Sequence, residues 1–256
     1  MTIRRASRAL AGSAALALTA LGAVGPADAG PLRRAADPTS GRPTVGTCSR
    51  MTAAQADSNA DRSPRVACSE AHTAQVAGVV KLPRTLHWKT ASRNALFRVV
   101  ADRCVPKVDA MLGRDNATRD SSAYQYVWFE PTKRQRRRGA RWLSCSIVLR
   151  QAKTLANLPT STAPFLPSGA LKDGVRRCLT KRALTTRCKA THLWRATGTF
   201  SLTGKYPGTD SLNKKANRRC ARRVYAGRRY RWTYRDRISW NVGHDHVVVC
   251  YSKTRT

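Results

Sequence analysis

The eight cysteines of this 256-residue chain constrain its fold more than any other feature. They fall into two sets of four, and the order of the neighbouring motifs is kept while the spacings shorten in the second set. An even number of cysteines is typical of disulfide-bonded exported proteins, and the lack of a Cys-x-x-Cys pair argues against zinc-ribbon and redox motifs. The two sets are Cys48, Cys68, Cys104 and Cys145, then Cys178, Cys188, Cys220 and Cys250.

Four cysteines allow three pairings in each set, so the connectivity stays open at this point. The order of the predicted elements favours bonds from the first cysteine to the second and from the third to the fourth. In the first set, Cys48 to Cys68 would tie neighbouring strands, and Cys104 to Cys145 would tie a helix to the closing strand. Closing a loop of roughly 40 residues in this way contributes about 4 kcal/mol in the chain-entropy model.

The first 29 residues have the pattern of a secretory signal peptide. Three arginines in residues 1–8 precede an Ala- and Leu-rich apolar run over 9–24, and Ala27-Asp28-Ala29 matches a cleavage site. The run is short for a membrane span, which needs roughly 20 apolar residues, although an uncleaved anchor is the alternative. Residues 30–44 contain three prolines and no apolar periodicity, which predicts a flexible linker.

A duplicated pattern divides the rest of the chain into two related units. A Tyr-x-Trp motif is followed by a Gly and then by a strand-like segment with a Cys, first over 126–145 and again over 230–250. Earlier in both copies, a Cys-x-x-x-His motif ends at His72 and at His192. We therefore predict two homologous units joined by a linker. Their bounds are 45–150 for the first unit, 151–174 for the linker and 175–254 for the second unit.

Hydrophobic periodicity predicts the same element order, β-β-β-α-β-β, in each unit. In the first unit, Leu96 and Val100 mark the helical face and Ser92 is the predicted N-cap. Because alternate residues of a strand point inward, Trp128 and Trp232 are predicted to lie in the core. The fold class is therefore α+β, with two tandem disulfide-stapled units that are each mainly antiparallel sheet with one helix. Strands are predicted at 65–68, 73–82, 124–130, 141–149, 175–178, 185–188, 192–202, 230–234 and 246–251, besides a short one ending at residue 48, and helices at 90–102 and 210–224.

The formal net charge of +34 favours anionic partners, since such a chain attracts polyanions over the screening length. Two basic clusters carry the strongest binding signal, because guanidinium groups suit phosphate and carboxylate and nearby aromatic rings suit stacking. A solvated charged surface and an arginine-rich genome composition are the alternative explanations. The predicted polyanion-binding residues are Lys133, Arg134, Arg136, Arg137, Arg138 and Arg141, then Arg218, Arg219, Arg222, Arg223, Arg228, Arg229 and Arg231.

Histidine and acidic residues give weak signals for catalysis or metal binding. We interpret His72 and His192 as polar anchors of a strand, because an oxidised cysteine before them is neither a nucleophile nor a metal ligand. His244-Asp245-His246 would place two imidazoles on one side of a strand, but a third ligand is not visible nearby. The chain contains no hydrolase motif, so we predict no enzymatic activity, no metal and no cofactor.

Several segments match one family pattern: Val45-Gly46-Thr47-Cys48, Val66-Ala67-Cys68-Ser69-Glu70-Ala71-His72, Lys81-Leu82-Pro83, Cys104, and Pro131-Thr132 through Gln135 to Gly139, Arg141 and Cys145. In these residues the chain resembles the septum formation-related family of exported or membrane-linked actinobacterial proteins. The family pattern has a Trp after the Gln, where this chain has Arg136, whereas the second unit keeps Ser239-Trp240 and Gly243. The resemblance implies an envelope location and a non-enzymatic role connected with septation or the cell wall, and it supplies no catalytic residues.

We therefore expect a secreted or envelope-associated protein that binds an anionic cell-wall polymer or acidic lipid head groups through its arginine patches. An exported nucleic-acid-binding protein is the first alternative. Competition between DNA and wall polymer would separate these two, because both lose affinity with salt. A cell-wall hydrolase, testable by zymography on purified walls, is the second alternative, and partnership with a septal or membrane protein is the third.

Overall fold

The computed structural model describes residues 36–160, called the first half below, and residues 163–254, called the second half. The predicted signal peptide and residues 30–35 of the predicted linker lie outside the described residues. The first half contains β1 (Cys48–Ser49), α1 (Ala53–Ala56), β2 (Arg65–Val66), β3 (Ala74–Lys81), α2 (Arg93–Arg103), α3 (Val105–Leu112), α4 (Asn116–Asp120), β4 (Tyr124–Phe129), α5 (Lys133–Arg137), β5 (Trp142–Gln151) and β6 (Thr154–Ala156). The second half contains β7 (Arg177–Leu179), β8 (Thr185–Arg187), β9 (Trp194–Ser201), α6 (Thr209–Cys220), β10 (Tyr230–Tyr234), α7 (Arg237–Asn241) and β11 (Val247–Lys253).

Both halves have the same sheet topology. In the first half the strand order is β2-β1-β3-β5-β4, with β6 also paired to β5, and in the second half it is β8-β7-β9-β11-β10. The strand pairs are antiparallel. Counted from the start of each half, both sheets place the second strand at one edge and the fourth at the other. The predicted α+β class of mixed helix and antiparallel sheet is confirmed.

All eight cysteines form disulfides, and each bond stays within one half. In each half the first bond joins a cysteine shortly after the second strand to one in the first strand. The second bond joins a cysteine at the end of the long helix, α2 or α6, to one in the fifth strand. This is the pairing that the predicted element order favoured. The bonds are Cys48–Cys68, Cys104–Cys145, Cys178–Cys188 and Cys220–Cys250.

Each half buries its helix-to-strand disulfide in the core between the sheet and the helices. In the first half the apolar face of α2, including Leu96 and Val100, packs on β5, and α3 packs on β3 and β5. The helix starts where predicted, because the Ser92 hydroxyl accepts a backbone N–H at 3.2 Å. In the second half, Leu212 of α6 and Trp240 of α7 are buried against the sheet.

The tryptophans of the repeated Tyr-x-Trp motif occupy equivalent positions. Trp128 lies opposite Cys145 across β4 and β5, and Trp232 lies opposite Cys250 across β10 and β11. Both rings are half-buried and pack against the core of their own half, so the predicted core position holds for part of each ring. The shared register relates the two halves residue by residue.

Sequence periodicity missed five helices, α1, α3, α4, α5 and α7. Four of them have only 4 or 5 residues, too few to show a periodic apolar face. These short helices begin instead at a capping side chain, from Thr52, Asp115, Thr132 and Asp236. Among the helices of 36–160 and 163–254, none has the length and apolar composition needed to span a bilayer.

Parts of both predicted linkers pack against the first half. Within 151–174, β6 pairs with β5, and Leu158, Phe165 and Leu171 are buried in the first core. Within 36–44, four hydrogen bonds tie the predicted linker to the α5 region. The proline and serine content indicated an irregular backbone. It could not show that scattered apolar side chains are buried or that backbone carbonyls accept hydrogen bonds from the first half.

The two halves pack against each other within one compact unit. A β-bridge joins Ser122 to Arg176, and the Nε atom of Arg177 donates to the Ser122 carbonyl at 2.8 Å. The guanidinium of Arg235 reaches from the second half to the carboxylate of Asp120 in the first. Polar contacts of buried groups therefore fix part of the boundary between the halves.

Candidate polyanion-binding site

The first predicted basic cluster lies on α5 and on the turn after it. The Thr132 hydroxyl accepts the Gln135 N–H at 3.3 Å, and Gln135 Oε1 accepts the Thr132 N–H at 2.7 Å. This capping box starts the helix without any apolar residue. Lys133, Arg134 and Arg137 are exposed along it, and none of the three forms an ion pair within the described part of the chain.

Residues 37–42, called the strap below, form hydrogen bonds with α5 and with the residues that follow it. The Asp37 N–H donates to the Arg138 carbonyl at 2.8 Å, and the Pro38 carbonyl accepts the Arg141 N–H at 2.9 Å. Two side chains complete the contact: Trp142 donates to the Ser40 carbonyl at 3.1 Å, and Gln135 donates to the Gly41 carbonyl at 3.0 Å. The strap therefore fixes a short, highly charged helix that local propensity alone would leave marginal.

The strap passes close to Gly139, which has a φ of 100°. A Cβ at this residue would lie 2.7 Å from the Asp37 nitrogen, so the close approach of two backbones requires glycine here. The Arg138 side chain, at the C-cap of α5, is exposed.

Two members of the first cluster are turned inward instead. Arg136 donates to Glu130 at 2.9 Å, and its guanidinium lies 5.2 Å from the centroid of the Trp88 ring. Arg141 donates to the carbonyls of Pro83 and Leu86, at 2.8 and 2.9 Å. These two half-buried arginines therefore stabilise the loop between β3 and α2.

Two grooves flank α5 and share Lys133, Arg136 and Arg137. The Trp88 groove has a volume of about 830 Å³, and none of the described residues that line it carries a carboxylate. The Glu130 groove has a volume of about 1000 Å³ and is lined by residues from 54–62 and 130–137. The Trp88 groove is lined by His87, Trp88, Lys89, Thr90, Lys133, Arg136, Arg137 and Arg141.

Sequence reasoning missed four residues of the Trp88 groove, His87, Trp88, Lys89 and Thr90. The indole N–H of Trp88 donates to the Ala140 carbonyl at 2.7 Å, which fixes the ring beside the end of α5. A signal was present, because a tryptophan between His and Lys in a polar loop is typical either of packing or of binding. Only the fold shows that this loop meets α5.

The second predicted cluster lies on α6, on the loop that follows it and at the start of β10. The Arg223 Nε atom donates to the Thr199 carbonyl at 3.1 Å. The guanidinium groups of Arg219 and Arg223 lie 5.2 and 5.4 Å from the Phe200 ring centroid. Part of this cluster therefore braces α6 against β9, beside a cavity of about 350 Å³ lined by second-half residues. Its exposed members are Arg218, Arg219, Arg222, Arg223 and Arg229, and its half-buried members are Arg228 and Arg231.

A buried ion cluster lies between the halves. Arg235 donates to Asp245 at 2.9 Å and also contacts Asp120. Burial, followed by the charge of Asp120, raises the pKa of Asp245 to about 6. Burial lowers the pKa of Arg235, but the two aspartates outweigh this effect and raise it above its ordinary value. The adjoining cavity has room for about one water, with a volume of about 30 Å³, so this cluster is structural in character.

The histidines of the Cys-x-x-x-His motifs behave alike. In both His72 and His192, the Nδ1 atom lies 2.8 Å from the carbonyl oxygen two residues earlier. His72 is buried and His192 is half-buried. Each ring closes a turn just before the third strand of its half, which agrees with the interpretation as polar anchors.

The segment His244-Asp245-His246 is not an extended strand, and in this the prediction was wrong. His244 has a φ of 51°, and β11 begins only at Val247. The chain turns at His244, and after the turn Asp245 accepts from Arg235 while the His246 Nε2 atom lies 2.9 Å from the Trp240 carbonyl oxygen. Within the residues that the structure describes, no group of three or more His, Cys, Asp or Glu side chains is placed to hold a metal.

The family model for septum formation matches the chain twice, over residues 29–129 and over residues 87–250. Together the two matches span most of the sequence and both halves of the fold. No curated protein and no solved structure matches the chain. The chain therefore belongs to the septum formation family.

Proposed function

We propose that this protein is a non-enzymatic, exported protein of the cell envelope that binds an anionic polymer at α5. The observation that carries the proposal is the row of exposed cationic side chains on and after α5, beside two open grooves. A polyanion that contacts such a row releases its condensed counterions, and this release supplies binding free energy. Because the strap holds the α5 backbone, the cationic side chains extend from fixed backbone positions.

The envelope location rests on three observations. The N-terminal sequence has the order of a secretory signal, and four disulfides are typical of an oxidising compartment. Membership of the septum formation family points in the same direction. Within this proposal, the polymer is a wall polymer or a layer of acidic head groups near the septum, and a septal or membrane protein is a further partner.

The non-enzymatic part of the proposal rests on the state of the acidic groups. Glu130, the carboxylate beside the grooves, is paired with Arg136 at 2.9 Å and lies 3.6 Å from Arg93. Asp120 and Asp245 are both held by Arg235. A general acid or base must reach a substrate proton, and these carboxylates are occupied by guanidinium groups instead.

The test measures retention of the oxidised chain on isolated cell envelopes, eluted with graded salt. The variant replaces Lys133, Arg134 and Arg137 by alanine. The matched control replaces Lys181, Arg182 and Lys189, three exposed cations of the second half, by alanine. Both variants lower the net charge by the same amount, so a difference between them reports the site and not the overall charge.

We expect the α5 variant to elute at clearly lower salt, with the slope of log affinity against log salt reduced by about 2, since each removed contact contributes about 0.7. The control should stay close to the parent protein. Equal shifts in both variants would show non-specific attraction and refute the site. Competition decides the polymer class: if DNA displaces the protein from envelopes more readily than wall polymer does, the nucleic-acid alternative replaces this proposal.

A further inference from the structure

The helices α5 and α7 are equivalent elements of the two halves. Both contain 5 residues, both connect the fourth strand to the fifth, and both start at a capping side chain. The fourth residue of α5 is Arg136, and the fourth residue of α7 is Trp240. Gly139 and Gly243 follow at the same distance. Equivalent positions of the duplicated fold therefore hold an arginine in the first half and a tryptophan in the second.

In the second half this position is filled. The Trp240 ring is fully buried, and its N–H donates to the Gly204 carbonyl at 3.0 Å. The ring stacks on His246 with centroids 4.9 Å apart, and the Tyr206 ring meets it edge-on at 5.7 Å. The space under α7 is thus closed by packed aromatic rings.

In the first half the corresponding space is open. The Arg136 side chain turns to Glu130 and covers part of the Trp88 ring, and a groove of about 830 Å³ is present beside α5. The half-buried Trp88 ring lies beside Arg136, as the Tyr206 ring lies beside Trp240 in the second half. Around this ring the lining carries Lys89, Lys133 and other cations, and within the part of the chain that the structure describes it includes no carboxylate.

We propose that the Trp88 groove binds one ring of an anionic glycan, a polymer whose sugar units carry phosphate, sulfate or carboxylate groups. The inference rests on the proposed function and specifies its ligand. A sugar ring offers apolar C–H faces that suit the indole of Trp88, and its anionic groups suit the cations of the rim. A polyphosphate chain has the charge but lacks a ring, so it would leave the indole unused.

The test uses Arg136→Trp, which places in the first half the side chain that closes the second half. Its matched control is Arg136→Gln, which removes the same charge and leaves the groove open. The ligands are dextran sulfate, inorganic polyphosphate, and vesicles of phosphatidylglycerol mixed with phosphatidylcholine. Circular dichroism and thermal melting of the oxidised full chain check folding.

We expect Arg136→Trp to bind dextran sulfate about tenfold more weakly than Arg136→Gln does, the effect of losing one ring contact. Polyphosphate should bind both variants equally, because both retain Lys133, Arg134 and Arg137. If Arg136→Trp does not fold, Trp88→Leu supplies the test: it keeps an apolar side chain, removes the ring face, and should weaken dextran sulfate binding selectively.

Three outcomes would overturn the inference. Equal affinity of the two Arg136 variants for dextran sulfate would show that the groove is not used. A selective loss of vesicle binding in Arg136→Trp would assign the groove to a lipid. If Trp88→Leu keeps the parent protein's selectivity for dextran sulfate over polyphosphate, the contact between the sugar ring and Trp88 does not contribute to binding. In each case the comparison of the α5 and second-half alanine variants still stands, so failure of the groove is distinguishable from failure of polymer binding.

Discussion

Replacing Arg235 by methionine is expected to destabilise the protein by about 3 kcal/mol, because it leaves two carboxylates buried and unpaired. The Asp120 side chain is 3% exposed and that of Asp245 is 18% exposed, and Arg235 pairs with both. Breaking a buried pair from one side costs about 3–5 kcal/mol, and the partial solvation of Asp245 favours the lower end. Methionine keeps the length and most of the apolar contact of the arginine stem.

The matched control is Arg195→Met. Arg195 donates to Asp173 at 3.0 Å, but the Asp173 side chain is 50% exposed, so the loss should be about 0–1 kcal/mol. The assay is urea unfolding of the oxidised chain at neutral pH, followed by tryptophan fluorescence, with the slopes compared to confirm a common unfolding transition. If both variants lose the same stability, the ion cluster does not fix the boundary between the halves.

Three further predictions concern single features of the fold. Asp245→Asn should remove a pH dependence, because burial and the charge of Asp120 raise the pKa of the folded-state Asp245 carboxyl to about 6. Asp245 therefore favours folding below pH 4, and this contribution is lost as the pH rises through 6. The stability of the parent relative to the variant should therefore fall by up to about 3 kcal/mol from pH 4 to pH 7, and a flat difference in urea unfolding would contradict it. Gly139→Ala should displace the strap and speed its proteolysis. Gly46→Ala should not, because Gly46 has a similar positive φ but nothing lies within 4 Å of the added Cβ. Equal rates of cleavage in the two variants would contradict the close approach of the strap to Gly139. Replacing Cys104 and Cys145 by alanine opens a loop with a sequence separation of 41 residues and should cost about 4 kcal/mol or more in urea unfolding, and a loss below about 1 kcal/mol would contradict the stabilising role of that bond.

Much of the architecture could be predicted because the positions of the cysteines mark which elements lie next to each other. Each disulfide links elements that are neighbours in space, so the order of cysteines and the repeated Tyr-x-Trp motif mark equivalent strands in both halves. The helix that Ser92 caps was also visible, since its apolar face is long enough to be periodic. Local signals that agree with the tertiary fold are the ones that sequence reasoning can use.

The candidate site was less predictable because its parts are distant in sequence. The basic residues were recognised, but their helix was not, since α5 has no apolar residue and depends on the capping pair of Thr132 and Gln135. The strap meets α5 through contacts such as Gln135 to Gly41, which are far apart along the chain. Trp88 joins the site only when the loop after β3 folds against the turn that follows α5.

Hydrogen exchange of the backbone amides, measured on the oxidised chain with and without dextran sulfate, tests the central claim most directly. If α5 is the binding surface, the ligand should increase protection over residues 132–141 and over the loop at 86–90, while residues 218–231 of the second half should change little. Protection confined to 218–231, or spread evenly over all exposed basic segments, would contradict the account.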